Sequence, residues 1–493
     1  MMKRHKIILL LIFLGVLLLR LQFAYYHENF SYEAYSNIRH IENIRETGNY
    51  ITEDSLSYGG RNILILPFFH YLLGFISVIF PLDFVLKFFP NLFASTVVFI
   101  AYMIIFNWTE NRNAALFSSF IAGFTPIFFS DTISSVSPMS LFIPLLFLFL
   151  YSFTRLNKNF YVILFVILAF ILPLIDISSL LLVATFLIYL LFAHIENFEF
   201  KGKSIELTLF FSFFSIWFTL IIFKKAFLLY GYNIIANAVP EIVRENYFQN
   251  LNFLQLFGGL GLLSIVAGSY VIYFSLFQNK DRRVYLFFSL ICTSLLFMWF
   301  NILKTSVGLI IIALCLSILT GLYYPRFFNY LKHTNFAHLE KLFIAGFIFF
   351  FSLSSVLFSI VLAFDVSVAQ DSEIRVMEWA KLNTPKDSTM VAPVQIGNII
   401  TSIAERKNIA DEQYLLAPFA EDRLRKINNL YLLLPRFTST SSIIQDMDFY
   451  NSDYIYLPTG YDNRVLENDK SCFRLEYNKE LKVYKKLCRS LRQ

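Results

Sequence analysis

Apolar runs of about twenty residues recur along the chain as far as residue 364, and no other feature constrains the fold so strongly. They lie near 7–25, 62–80, 88–106, 114–129, 139–154, 160–175, 177–193, 206–223, 253–277, 284–300, 305–322 and 342–364. Wound as a helix, such a run matches the roughly 30 Å hydrocarbon thickness of a bilayer. A helix also satisfies its own backbone N–H and C=O groups where no water is present. Only 15% of the 493 residues are charged, against about 25% in soluble domains, so a soluble globule would lack polar surface. The 59 Phe suit a lipid core and the 28 Tyr its interfaces. From Asp365 onward the composition turns polar and mixed. The expectation is a polytopic α-helical membrane domain over 1–364 and a soluble α/β domain over 365–493.

The N-terminus, "MMKRHKIILLLIFLGVLLLRLQFAYY", has a basic head and an apolar run without a small-residue cleavage site, which predicts a retained first span. Arg20 near its outer end is expected to snorkel to the interface. The net charge of +6 reflects basic loops on one membrane face and gives no argument for nucleic acid. Four cysteines exclude a disulfide framework; Cys292 and Cys315 fall within apolar runs and are expected to pack.

Basic residues set the topology. Lys3, Arg4 and Lys6 place the N-terminus in the cytoplasm. The loops with Arg155/Lys158, Lys201/Lys203, Lys280/Arg282/Arg283 and Arg326/Lys332/Lys341 reach the same side only if one early run does not span. The run 62–80 is the candidate, because it holds Pro67, His70 and Gly74 and is followed by Pro81. About eleven spans result, with 62–80 lying against the outer face, a long external loop over 26–86 and an extracytoplasmic C-terminal domain. The loop 130–138, Asp176 and the segment 224–252 then face the same compartment.

In the C-terminal domain, "DSEIRVMEWAKLNTP" predicts a helix stopped at its Pro, and "TMVAP" and "DYIYLP" predict strands. "CFRLEYNKELKVYKK" predicts a hairpin. A three-residue loop centred on Glu480 would set Cys472 opposite Cys488, and an extracytoplasmic location permits a disulfide there while leaving it open.

Within the first external loop, "EAYSNIR" resembles the acidic motif of oligosaccharyltransferase catalytic subunits. Glu33 stands where those enzymes carry an Asp, Tyr35 at their aromatic position, and Asn37 and Arg39 also match. "DSLSYGGR", Asp54 to Arg61, resembles their next segment. "NRNAALFSSFIAGFTPIFFSDTISS" and "VMEWAKLNTPKDSTMVAP" resemble later stretches. The resemblance implies the GT-C class of integral membrane glycosyltransferases, which also holds the protein mannosyltransferases and aminoarabinose transferases. It further implies a polyprenyl-phosphate-linked sugar donor and a site on the extracytoplasmic side of the cell membrane. Two departures stand out. The family's Asp-x-Asp or Asp-x-Glu, which helps to hold a divalent metal, is reduced to Asp131 in "SDTISSVSP", so a divalent metal is left without a motif. The Trp-Trp-Asp-Tyr-Gly acceptor motif is replaced by "APVQIG". Both point away from N-linked transfer and leave a glycan, lipid or protein acceptor open.

Transfer from a lipid phosphate needs a carboxylate facing the acceptor hydroxyl, cations for the leaving phosphate and an apolar groove for the tail. No Gly-rich nucleotide motif is present. Glu33 is the expected catalytic carboxylate, with a solvated interfacial Glu as the plain alternative. Arg61, after Gly59–Gly60, either grips phosphate or only turns the chain. Arg39 contacts substrate, holds the loop fold, or pairs with Glu42 or Glu46. Asp54 and Asp131 are secondary acids. Lys224 and Arg244 are candidate phosphate contacts, Lys224 alternatively a snorkelling span end. A non-catalytic lipid-linked glycan binder, flippase or transporter is the competing function. It should carry ionisable groups at mid-span, whereas the span centres here are mostly Phe, Leu and Ile.

Overall fold

The computed structural model of the protein describes residues 2–198, 202–231, 240, 243, 253–335, 337–434, 439–461 and 464–489. The chain divides into two compact units. The first comprises Met1–Glu28, Leu66–Ile222 and Tyr247–Val366; the second comprises Asn29–Ile65, Phe223–Asn246 and Ser367–Gln493.

The first unit is helical. Among the described residues seven helices are long and apolar enough to cross a bilayer: Arg4–Tyr26, Leu82–Thr109, Gly202–Ile222, Leu262–Asn279, Arg282–Trp299, Thr305–Lys332 and Leu342–Phe364. Arg112–Gly123 and Pro126–Ile133 together make an eighth, bent by 46°. The bend has a local cause. Thr125 is extended (φ −68°, ψ 115°) immediately before Pro126, as the pyrrolidine ring demands of its neighbour. Met139–Phe153, Asn159–Ile175 and Ser179–Ile195 are shorter apolar helices, about 23–26 Å long at 1.5 Å per residue. Seven long apolar helices, and the bent pair as an eighth, make the protein a multi-pass membrane protein, against about eleven spans expected. Pro67–Ile79 has 13 residues, about 20 Å, too short to cross a bilayer of ordinary thickness.

Thr305–Lys332 is the buried axis of this unit; Ile310, Leu314, Cys315 and Ile318 are fully buried. Neighbouring backbones approach it closely. A Cβ on Gly268 would lie 3.0 Å from the Cα of Leu316, so only glycine fits that crossing. Ser118 Oγ donates to the Ile318 carbonyl (3.0 Å), and Thr125 Oγ1 donates to Ser317 Oγ (3.1 Å).

The second unit is built on a five-stranded sheet in the order Lys407–Asn408, Thr389–Val391, Tyr454–Leu457, Lys482–Lys486, Phe473–Asn478. The first three strands are parallel and the last two pairings antiparallel. Ala34–Thr47, Asp371–Asn383, Ala420–Leu433 and Ser441–Phe449 are its longer helices. Asp371–Asn383 starts with a capping box between Gln370 and Glu373, which satisfies otherwise unpaired N–H groups. The hairpin turns at 479–481 as expected, and Cys472 and Cys488 form a disulfide.

Asn29–Ile65, expected as a loop of the membrane domain, instead folds with the C-terminal residues. Its helix Ala34–Thr47 ends on Gly48 in the left-handed region (φ 77°). A short ladder pairs Glu53–Asp54 with Arg61–Asn62. Backbone bonds from Ala369 N to Phe30 O (2.9 Å) and from Asn408 N to Leu56 O (3.0 Å) stitch the segment to the later chain.

Candidate active site

Two ion pairs brace the segment 29–65, one half-buried and one buried. Arg39 donates through both terminal nitrogens to the two Asp54 oxygens, at 2.6 and 2.8 Å. The Asp54 side chain is 1% exposed. Its Oδ1 also accepts from the Leu56 N–H at 2.8 Å, closing a tight turn. Burial pushes the Asp54 carboxyl upward, but the Arg39 hydrogen bond and charge, helped by backbone N–H groups, outweigh it and hold the group below the usual carboxylate range. Arg39 thus holds the segment's fold, with Asp54 as its partner rather than Glu42 or Glu46.

Arg61 anchors the second cluster. Its Nε donates to Ser57 Oγ (2.7 Å), one terminal nitrogen donates to the Leu415 carbonyl (3.1 Å), and the other lies 3.5 Å from Asp411 Oδ1. Ser57 Oγ in turn donates to Asp411 Oδ2 (2.6 Å), which also accepts from Asn408 Nδ2 (2.9 Å). Tyr58 has φ 53°, a conformation costly for a residue with a Cβ. It is held by its N–H to Asn408 Oδ1 (2.8 Å), by its hydroxyl to the Asp411 carbonyl (2.7 Å), and by Arg423 on its own carbonyl (2.6 Å). Gly59 and Gly60 carry the turn onward at φ 71° and 132°. Asp54, Arg61 and Arg39 are therefore engaged inside the protein, as the frame of the segment.

Of the four motif positions, Tyr35 is buried with its ring edge-on to Phe30 at 6.4 Å, and burial pushes its hydroxyl up to about 12. Asn37 and Arg39 are half-buried, whereas Glu33 is exposed. Glu33 occupies the N-cap of Ala34–Thr47, where the helix dipole favours a carboxylate.

In the helical unit the polar residues at the Tyr26 end converge. Arg20 is fully buried, which corrects the snorkelling expectation. It donates to Thr132 Oγ1 (3.0 Å), Asn91 Oδ1 (3.4 Å) and the Phe128 carbonyl (3.2 Å), and its guanidinium lies over the Phe128 and Phe129 rings. A cation this deep persists because hydrogen bonds and ring faces replace water. Asn91 also donates to Lys87 O and Ile133 O, and Lys87 Nζ donates to the Glu28 carbonyl (3.1 Å). Lys87 and Asn91 were not singled out from sequence. Their signal was present as a Lys and an Asn one helical turn apart in an apolar stretch. Asp131, expected on a loop, sits half-buried on the helix Pro126–Ile133. In the second unit, Lys224 is exposed at the start of Lys224–Tyr230, and Arg244 lies outside the described residues.

No family model matches the chain, and no curated protein matches it. Solved structures do. The oligosaccharyltransferase AglB of Archaeoglobus fulgidus, in complex with an inhibitory peptide and a dolichol-phosphate, superposes with a TM-score of 0.65 at 13% identity, over 90% of this chain and 69% of that one. ArnT of Cupriavidus metallidurans, bound to undecaprenyl phosphate, superposes with a TM-score of 0.62 at 11% identity, over 99% of both chains. The chain shares the fold of these two proteins. Among the described residues no group of three or more His, Cys, Asp or Glu is placed to hold an ion.

Proposed function

We propose that the protein transfers a sugar from a polyprenyl-phosphate-linked donor to an acceptor on the extracytoplasmic side of the cell membrane. The observation that carries this proposal is the GT-C likeness over nearly the whole chain to two proteins solved with dolichol-phosphate and undecaprenyl phosphate. The chain's own chemistry supports it. Glu33 is an exposed carboxylate on a segment braced by the Arg39–Asp54 and Arg61–Asp411 ion pairs.

In the step, the acceptor hydroxyl oxygen bonds to the anomeric carbon and the bond from that carbon to the phosphate oxygen breaks. The hydroxyl proton passes to Glu33, and the lipid phosphate leaves with the bonding pair. Lys224, Arg244 and Asp131 are candidate contacts to donor or acceptor. The basic loops favour a cytoplasmic N-terminus and an external second unit, and an external location would permit the Cys472–Cys488 disulfide.

The test is transfer of labelled sugar from a polyprenyl-phosphate donor by membranes carrying the parent or Glu33→Gln. A general base contributes roughly 10²–10⁴-fold, so the variant should lose about a hundredfold or more while inserting normally. Parent-like transfer by a well-inserted Glu33→Gln would remove Glu33 from the mechanism.

A further inference from the structure

The Met2–Tyr26 helix has a second end that borders polar residues. At the His5 end, about 30 Å from Tyr26 along the helix axis, a cavity of about 820 Å³ opens between the N-terminal helix and the turns at 110–113 and 151–155. Two guanidiniums, Arg112 and Arg155, line it with His5, against one carboxylate, Glu110.

Arg155 is held in place rather than loose. One terminal nitrogen donates to both the Tyr151 and Tyr161 hydroxyls at 2.8 Å, and the guanidinium lies over both rings, 5.7 and 4.7 Å from their centres. Among the described residues its Nε and second terminal nitrogen have no hydrogen-bond partner, and Arg112 has neither hydrogen bond nor ion pair. A fixed guanidinium edge on Arg155, with a second guanidinium on Arg112 beside the same cavity, suits a phosphate, which a guanidinium meets in a bidentate fashion.

The cavity does not end in solvent alone. Asn113 lines both it and an apolar groove of about 380 Å³ walled by Ile8, Ile12, Leu116, Phe120, Ile344 and Ile348. His5, Ile8 and Ile12 rise along one helix at spacings of three and four, so one face passes from basic head to greasy channel. A free phosphate would use only the first compartment, and a hydrocarbon chain only the second.

We propose that this composite site binds an anionic membrane lipid, its phosphate between Arg112 and Arg155 and its chain along the Ile8–Ile348 groove. Under the proposed topology it faces the cytoplasmic leaflet, apart from the transfer chemistry. The phosphate belongs either to a glycerophospholipid or to a polyprenyl phosphate, which share this chemistry.

Full-length protein is purified in detergent and exposed to dioleoyl-phosphatidylglycerol, dioleoyl-phosphatidylcholine, undecaprenyl phosphate or inorganic phosphate. Retained ligand is then counted by native mass spectrometry. Retention of phosphatidylglycerol over phosphatidylcholine supports a glycerophospholipid; retention of undecaprenyl phosphate alone supports the polyprenyl source. In either case Arg155→Gln and Arg112→Gln should each weaken retention about tenfold. Ile348→Trp, at a residue 46% exposed and so tolerant of change, should weaken it by filling the groove. Arg112→Gln guards against misfolding, because Arg112 holds no structural bond. Equal retention by parent and all three variants overturns the proposal, as does no preference between the two phospholipids without undecaprenyl phosphate binding. Uptake of inorganic phosphate alone also overturns it. None of these readouts uses transfer activity, so they stand whether or not Glu33 proves catalytic.

Discussion

Replacing Arg61 with Met separates a framing role from a phosphate-binding one. The Arg61 and Asp411 side chains are 3% and 2% exposed, so solvent screens little of their interaction. Removing the guanidinium leaves Asp411 buried with Ser57 and Asn408 as donors but without its counter-charge. Breaking one partner of a buried pair costs roughly 3–5 kcal/mol. Ser57 and Asn408 stay in place, so the low end, about 3 kcal/mol, is expected. That corresponds to about a 150-fold rise in the open population of the 53–62 ladder, at 1.4 kcal/mol per tenfold. Hydrogen exchange on full-length protein in nanodiscs reads this directly. The Ile63 amide, bonded to Thr52 O, and the Asn408 amide, bonded to Leu56 O, should lose protection together. Amides of Thr305–Lys332 should not change. Asp411→Asn should lower the same amides, and the double variant Arg61→Met/Asp411→Asn should cost less than the sum of the two. The opposite pattern refutes the reasoning: unchanged protection in Arg61→Met with donor binding lost would make Arg61 a substrate contact and its pairing incidental.

Three further outcomes are expected. Asp54 has a folded pKa below its unfolded value, so its stabilisation is complete above about pH 4. It is lost as pH falls through the lower, folded value; protection of the Leu56 amide should therefore fall on acidification, and Asp54→Asn should abolish that step and start from the lower level. The Cys472–Cys488 bond closes a loop with a separation of 16 residues, worth about 3 kcal/mol by chain entropy. Cys472→Ser/Cys488→Ser should lower the melting temperature of the second unit without moving the helical unit, and an unchanged melt under reducing conditions would count against it. A cysteine at the exposed Ser55 should react with an impermeant maleimide from outside intact cells while one at the exposed Lys158 should not; the reverse would invert the proposed orientation.

The helices were legible because lipid leaves a chain so few options: each apolar run had to become a helix, and Pro67–Ile79 betrayed itself by its prolines and its length. The hairpin around Glu480 was legible because its signals are local. The ion pairs were not. Arg39 was matched to the nearest acids along its own helix, yet the ladder brings Asp54 to it from 15 residues away. Arg61 finds Asp411 at a separation no periodicity encodes. Arg20 illustrates the same limit from the other side. An Arg near a span end can escape to water or be surrounded, and only the helices packed on it, Leu82–Ser95 and Pro126–Ile133, decide which. Glu33 and its neighbours could be singled out by their motif, but that Tyr35 packs inward while Glu33 stays exposed depends on how the helix Ala34–Thr47 docks.

The stitching of Ser57 to Asp411 spans 354 positions, and this has a consequence for how the protein is made. A ribosome adding about 5–20 residues per second delivers the earlier half of that bond roughly 20–70 s before the later half. Throughout that interval Arg61 and Tyr58 have left the ribosome without the strand and loop that complete them. Nascent chains arrested before position 411 should therefore hold the 53–62 ladder open to protease, and release of the full chain should close it.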